Sequence, residues 1–176
     1  MLSALERVLP ADRTVVFDGG RFLGEAFKYL EVAGSAHQVL STSFGAVGLG
    51  MGAATSAAVA APDAPATLVT GDGGYLMSGL AELHLARRHD RPLVVLVCND
   101  GSYRSEYNQY VAKQVRPGLP LFEWPSFADA ARAFGVPGFR VVYPADLGPA
   151  LEAVEAGCSV VIDLVLGITD IPEVPQ

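Results

Sequence analysis

The stretch Val69-Thr70-Gly71-Asp72-Gly73-Gly74-Tyr75 decides the fold, together with Leu96-Val97-Cys98-Asn99-Asp100-Gly101 farther along the chain. Each stretch begins as an apolar or β-branched run and turns on glycine, with an acid or an amide at the turn. Asp72 and Asn99 are 27 residues apart, a separation that accommodates one helix and one further parallel strand. We therefore predict that both side chains lie at one edge of a parallel sheet. Their oxygens could bind Mg²⁺ or Ca²⁺ there, and glycine backbone could bind a phosphorylated ligand.

Apolar runs typical of buried strands alternate with helical patterns along the whole chain. The run from Leu93 to Cys98 is unbroken, as in a central parallel strand. The segment from Leu76 to Arg88 is amphipathic and predicts one helix. We predict an α/β fold, a three-layer sandwich whose central, mainly parallel sheet of about six strands is covered by helices on both faces. Residues 1–170 are expected to form one domain and residues 171–176 an irregular tail.

Composition narrows the possible functions. The chain has 176 residues, of which 51% are hydrophobic and 18% charged, which indicates a domain whose surface is partly covered by another chain. The formal net charge of −7 disfavours a nucleic-acid partner. No apolar run reaches the roughly 18 to 20 residues of a membrane span, and Glu6 and Arg7 lie where a signal peptide would be apolar. A cytoplasmic protein without a membrane partner is therefore expected.

One alternative is a dinucleotide-binding domain of an NAD-dependent oxidoreductase. Gly48-Leu49-Gly50-Met51-Gly52-Ala53 fits the pattern GxGxxA after a predicted strand, and Asp72 could then bind a ribose. The glycines on both sides of Asp72 suit a phosphate-binding turn better than a ribose-binding acid. That alternative also leaves the turn at Asn99 without a role. It predicts nicotinamide binding that is independent of Mg²⁺.

The combined pattern resembles the cofactor signature of thiamine diphosphate-dependent enzymes. Gly71-Asp72-Gly73-Gly74 followed after 27 residues by Asn99 is similar to the acetolactate synthase, benzoylformate decarboxylase and pyruvate decarboxylase group. Asp18 to Arg21, Phe44 to Gly48 and Phe127 to Val136 follow in the family's order. The resemblance covers nearly the whole chain, as the domain that binds the diphosphate of the cofactor.

The resemblance implies a role for each matching residue. Asp72 and Asn99 would bind Mg²⁺ through side-chain oxygens and Gly101 through its carbonyl, with Asp100 as the ligand in place of Asn99 if the turn shifts by one residue. Gly73 and Gly74 would donate backbone N–H groups to the diphosphate. The Gly45 carbonyl would accept from the aminopyrimidine, and Val47 would hold the cofactor in its bent form. The implied cofactor-binding set is Gly20, Arg21, Phe22, Gly45, Val47, Gly71, Asp72, Gly73, Gly74, Asn99, Gly101, Ser102 and Tyr103.

The resemblance also implies a partner. The glutamate that activates thiamine in this family lies on a separate pyrimidine-binding domain, and this chain has the length of the diphosphate-binding domain alone. We therefore expect one subunit of a 2-oxo acid decarboxylase or acetolactate synthase-like carboligase. It would be active only with a pyrimidine-domain chain, in a hetero-oligomer with two or more copies of each. Glu106 is the candidate catalytic residue of this chain, unless it only begins a helix. A catalytically silent scaffold subunit is the other alternative.

Overall fold

A six-stranded parallel sheet forms the centre of the structure, a computed structural model that describes residues 1–42, 45–61, 64–116 and 118–167. The strand order is β2-β1-β3-β4-β6-β5, and every neighbouring pair is parallel. The strands are β1 Thr14–Phe17, β2 Gln38–Leu40, β3 Ala66–Gly71, β4 Leu93–Asn99, β5 Gly138–Val141 and β6 Val160–Val165. This sheet confirms the predicted α/β fold. The predicted tail at residues 171–176 and the residues Ser43 and Phe44 lie outside the described part of the chain.

Helices cover both faces of the sheet. The helices are α1 Leu2–Glu6, α2 Leu23–Tyr29, α3 Gly50–Ala60, α4 Asp72–Met77, α5 Glu82–Arg88, α6 Arg104–Ala112, α7 Phe127–Ala133 and α8 Gly148–Glu155, with 3-10 turns at Ser35–His37 and Pro144–Leu147. Helices α1, α2 and α8 pack on one face, and helices α3, α4, α5 and α7 pack on the other. Strand β4 packs against the helices on both faces. Val94 and Leu96 point to the first face, and Val95 and Val97 point to the second.

The predicted single helix over residues 76–88 is wrong. The chain forms α4 and α5 instead, separated by a turn at Gly79, whose φ of +83° lies in the left-handed region that favours glycine. Both helices bury apolar side chains on the same face of the sheet, for example Tyr75 and Leu83. The apolar spacing therefore continues across the break, which is why the pattern looked like one helix.

The connections around β1 create a crevice at the carboxyl edge of the sheet. Helix α2 leads from β1 to β2 over one face, and α4 and α5 lead from β3 to β4 over the opposite face. Because β2 and β4 lie on opposite sides of the neighbouring strands β1 and β3, the connections that leave β1 and β3 run in opposite directions. Ligands of open parallel sheets bind at such switch points. Asp18, which follows β1, and Asp72, which follows β3, flank this crevice.

The glycine pattern at Gly48-Ala53 has a packing role in this fold. A Cβ at Gly50 would lie 2.8 Å from both Asp18 Cβ and Leu68 Cδ1, so glycine lets α3 approach the sheet closely. The strand order also differs from that of the dinucleotide-binding fold. The GxGxxA match therefore reflects tight packing of a helix on the sheet. Among the residues that the structure describes, no helix has the length and apolar character needed to cross a membrane.

Candidate functional site

A cavity of about 670 Å³ opens at the crevice between β1 and β3, a size typical of sites for small molecules and cofactors. The cavity is lined by the turns that follow β1, β3 and β4, by the Gly45–Val47 turn and by the start of α6. Nearly the whole predicted site lies here. The predicted residues that line the cavity are Gly20, Arg21, Phe22, Gly45, Val47, Gly71, Asp72, Gly73, Gly74, Ser102, Tyr103 and Glu106. Of the predicted set, Asn99 and Gly101 do not line it.

Asp72 is the most tightly held side chain of the cavity. It begins α4 directly after β3, and only 3% of it is exposed. Its Oδ1 accepts the Gly73 N–H at 2.7 Å, and its Oδ2 accepts the Ser102 N–H at 3.2 Å and the Trp124 indole N–H at 3.0 Å. Burial raises the pKa of Asp72, and the nearby charge of Asp100 raises it further, whereas the hydrogen bonds from Gly73 and Trp124 lower it. The site thus holds a desolvated carboxylate beside a second one, an arrangement that a bound cation would stabilise.

Asp100 faces the same cavity as Asp72. Its Oδ1 accepts the Ser102 hydroxyl at 2.6 Å, and its Oδ2 forms an ion pair with Arg104 Nε at 2.8 Å. Cys98, also at the cavity, lies close to both carboxylates. Burial raises the pKa of its thiol to about 12, and the charges of Asp100 and Asp72 contribute to that shift. The thiol is therefore protonated at neutral pH and packs as an apolar group.

Asn99 points away from the cavity. Its Nδ2 donates to Asp163 Oδ1 at 2.8 Å, and its Oδ1 accepts the Gly101 N–H at 3.3 Å. The Gly101 carbonyl accepts the Phe122 N–H at 2.8 Å. Successive side chains of an extended chain point to opposite sides, so Asp100 faces the cavity when Asn99 does not. The structure thus brings Asp72 and Asp100 together at the cavity. Asn99 and Gly101 instead form hydrogen bonds with Asp163 and Phe122, which lie outside the cavity.

Three supporting residues were missed by sequence reasoning. Asp18, fully buried, accepts from Gly48 N–H at 2.9 Å and from the Ser41 hydroxyl at 2.8 Å, so it joins the turns after β1 and β2 to the Gly45–Gly48 turn. Asp163 lies inside β6, where burial raises its pKa, although the hydrogen bonds from Asn99 and Phe127 lower it in part. An acid that ends or interrupts a buried strand is a signal that could have found both. Nothing in the local sequence marked Trp124.

The glycines around Asp72 are required by close contacts. A Cβ on Gly73 would lie 2.3 Å from the Tyr103 ring, and a Cβ on Gly74 would lie 2.7 Å from Asp18 Oδ2. Gly45 differs, because it has open space around it and a φ of +67°. The turn after β3 is therefore packed between the ring on one side and the Asp18 carboxylate on the other, which fixes the position of Asp72.

Comparison with known proteins shows the family to which this domain is similar. Residues 18–164 match the family described as thiamine pyrophosphate enzyme, C-terminal TPP binding domain. The chain is 34% identical over 153 residues to a sulfoacetaldehyde acetyltransferase of Alcaligenes xylosoxydans xylosoxydans, covering 86% of this chain and 25% of that protein. It is 31% identical over 168 residues to the acetolactate synthase large subunit of Mycobacterium tuberculosis, covering 91% and 29%.

A solved structure has the same fold. The thiamine diphosphate-dependent 4-hydroxybenzoylformate decarboxylase of Rhodococcus jostii RHA1 superposes with a TM-score of 0.81 at 21% identity, over 94% of this chain and 32% of that one. The chain thus spans about a quarter to a third of the length of these relatives.

Proposed function

This chain belongs to the thiamine pyrophosphate enzymes, as their C-terminal TPP-binding domain, and on that basis we propose that it binds thiamine diphosphate through Mg²⁺ in the cavity between β1 and β3. The observation that carries the proposal is the pair of carboxylates, Asp72 and Asp100, that face one cavity at the switch point of a parallel sheet. The acetolactate synthase and sulfoacetaldehyde acetyltransferase relatives favour a 2-oxo acid decarboxylase or a related carboligase as the whole enzyme.

The residues present fit a hard divalent cation. Mg²⁺ prefers oxygen ligands and usually takes one or two carboxylates together with phosphate oxygens and water. Among the described residues, there is no group of three or more His, Cys, Asp and Glu side chains that could bind a metal without such help. The cavity therefore suits a metal that arrives with a diphosphate. Arg104, paired with Asp100, and Arg21, also at the cavity, offset the negative charge that collects there.

We assign the second side-chain ligand to Asp100 rather than Asn99. The amide of Asn99 is bonded to Asp163 and Gly101, while Asp100 lines the cavity. The Ser102 carbonyl replaces that of Gly101 in this assignment. Ser102 pairs with Leu121 in an isolated antiparallel bridge. The two hydrogen bonds of this bridge are made by the residues on either side of Ser102, the Gly101 carbonyl and the Tyr103 N–H. The Ser102 N–H points away from Leu121 and donates to Asp72. Both peptide groups of an extended residue point the same way, so the Ser102 carbonyl is directed to the Asp72 side.

We propose that substrate chemistry requires a partner of this chain. Thiamine diphosphate, when bound, supplies an electron sink for loss of CO₂ from a 2-oxo acid. The chain's own residues bind and orient it. We assign Gly45 and Val47, which both line the cavity, to its pyrimidine end, and Val47 is 44% exposed there. The glutamate at the cavity, Glu106, is exposed on α6 and has no bonded partner that would orient it among the described residues. We therefore propose a pyrimidine-domain partner that supplies the activating carboxylate, in a hetero-oligomer acting on small 2-oxo acids.

The metal assignment is tested by calorimetric titration of thiamine diphosphate into the chain, with Mg²⁺ and with EDTA. Binding is expected to require Mg²⁺, to be lost in Asp72→Ala and Asp100→Ala, and to persist in Asp100→Asn, whose amide oxygen can still bind the metal. Asn99→Ala serves as the matched control and should keep metal-dependent binding. Loss in Asn99→Ala with retention in Asp100→Ala would reverse the assignment. Binding of NAD without Mg²⁺ would instead favour the dinucleotide alternative.

The partner is tested by turnover. The purified chain alone should show negligible decarboxylation of small 2-oxo acids, and activity should appear on addition of a pyrimidine-domain chain. Robust turnover by the chain alone would refute the partner requirement. A reconstituted complex that binds cofactor yet stays inactive with every 2-oxo acid would indicate a silent scaffold. The cytoplasmic location and the absence of a nucleic-acid partner stay predictions.

A further inference from the structure

Trp124 lies beside the proposed metal site although it is 52 residues from Asp72. It is the only tryptophan of the chain. Its indole Nε1–H donates to Asp72 Oδ2 at 3.0 Å. We infer that Trp124 is a positioning residue, which orients the Asp72 carboxylate for the metal. The inference rests on the proposed function, because it gives Trp124 a role only if Asp72 binds a metal.

A stack of aromatic rings fixes the Trp124 indole. The Trp124 ring stacks on Phe122, with centroids 4.3 Å apart and planes 17° apart, and Phe122 packs on Tyr103 at 4.6 Å. The Tyr103 ring in turn lies against Gly73, where a Cβ would come within 2.3 Å of it. The rings at both ends of the stack, Trp124 and Tyr103, therefore contact the turn that contains Asp72. Packing of the rings therefore fixes the direction of the Trp124 N–H, because the indole cannot rotate freely.

The backbone around these rings is joined to the metal-binding turn. Phe122 N–H donates to the Gly101 carbonyl at 2.8 Å, and Tyr103 N–H donates to the Pro120 carbonyl at 2.9 Å. The segment at residues 118–124 and the turn that follows β4 thus form one unit. A shift of Trp124 would also move the backbone that places Asp100.

The hydrogen bonds determine how Asp72 can present its oxygens. Oδ2 accepts two N–H groups, from Ser102 and Trp124, and Oδ1 accepts one from Gly73. A carboxylate has about four lone-pair sites, so three are occupied and the remaining one belongs to Oδ1. Trp124 thereby prevents rotation of the carboxylate and leaves Oδ1 as the oxygen available to a cation. Such supporting contacts typically change metal affinity by about 10- to 100-fold when they are removed.

The test compares Trp124→Phe with Trp124→His. Phenylalanine keeps a ring for the stack but removes the N–H, whereas histidine keeps a ring N–H that can donate to Asp72. The apparent Mg²⁺ affinity is measured by calorimetry at a fixed excess of thiamine diphosphate, and the unfolding midpoint is measured in EDTA. We expect Trp124→Phe to weaken Mg²⁺ binding by roughly 10-fold or more, with partial recovery in Trp124→His and a nearly unchanged midpoint in EDTA. In the parent chain, Trp124 fluorescence should change as Mg²⁺ saturates the site.

The outcomes separate this inference from the proposed function. If Asp72→Ala removes Mg²⁺-dependent cofactor binding but Trp124→Phe binds Mg²⁺ as the parent does, the positioning role is refuted and the proposed function stands. If Trp124→Phe weakens binding only in proportion to a lowered midpoint in EDTA, without recovery in Trp124→His, the residue is structural and the inference fails. If Asp72→Ala binds Mg²⁺ and cofactor normally, the proposed function itself is overturned.

Discussion

Replacement of Gly74 by alanine tests how tightly the turn after β3 is packed. The added Cβ would lie 2.7 Å from Asp18 Oδ2, 2.9 Å from Thr70 Oγ1 and 3.3 Å from Val47 Cγ1. Asp18 cannot move away cheaply, because it is fully buried and its oxygens also accept from Gly48 N–H and from Thr70 itself. Gly74→Ala must therefore either compress this contact or break hydrogen bonds that have no water to replace them.

The expected magnitude follows from three opposing contributions. Overpacking costs about 1–3 kcal/mol, and disturbance of the buried Asp18 bonds adds about 1 kcal/mol. Alanine has a higher helix propensity than glycine, which stabilises α4 by about 1 kcal/mol. We expect Gly74→Ala to lower the free energy of unfolding by about 2 kcal/mol, which for a chain of this size lowers the thermal midpoint by roughly 4–8 °C.

Gly52 provides the matched control. It lies inside α3, and a Cβ there would meet nothing within 4 Å. Gly52→Ala should therefore raise the free energy of unfolding by about 0.5–1 kcal/mol. Thermal and urea unfolding of both variants, in EDTA, give the comparison. A Gly74→Ala variant as stable as the Gly52→Ala variant would show that the contact between α4 and Asp18 is not tight, and the packing explanation of the glycine turn would be wrong.

Two further changes test the supporting structure. Gly138→Ala would place a Cβ 2.1 Å from the Ala128 carbonyl oxygen, a backbone atom of α7 that cannot rotate away, so we expect a loss of about 3 kcal/mol or more in urea unfolding; a loss below about 1 kcal/mol would contradict this packing of β5 on α7. Burial raises the pKa of Asp163, so the folded chain holds this proton more tightly than the unfolded chain does. The contribution of Asp163 to stability is therefore greatest in acid and decreases as pH rises through its folded-state pKa. Urea unfolding from acid to neutral pH should show the stability of the parent falling relative to Asp163→Asn; a pH-independent difference, or one of opposite sign, would refute the raised pKa.

The fold was accessible from the sequence because its signals are local. An unbroken apolar run such as Leu93 to Cys98 has few alternatives to a buried parallel strand, and the structure places it at the centre of the sheet as β4. The boundary between α4 and α5 was not accessible, because a glycine within an amphipathic pattern is compatible with either a continuous helix or a turn. The positive φ of Gly79 depends on how both helices pack on the sheet.

The site was accessible in outline for the same reason. Acids and glycines that follow predicted strands must meet at the carboxyl edge of a parallel sheet, so the position of Asp72 at that edge could be predicted. The family resemblance added the Gly45–Val47 turn, which lines the same cavity. Contacts between distant segments could not. Trp124 reaches Asp72 from 52 residues away, and Asp163 holds Asn99 from 64 residues away.

By itself, the sequence determined the parallel α/β sheet, the edge at which the functional side chains gather and the family to which they belong. The tertiary structure decided which side chain of the turn after β4 faces the cavity. Asn99 and Asp100 are adjacent, and the side chains of adjacent extended residues point in opposite directions. A shift of one residue therefore exchanges their roles. The hydrogen bond to Asp163 satisfies the Asn99 amide on the side away from the cavity, and its two partners are brought together only when β4 pairs with β6.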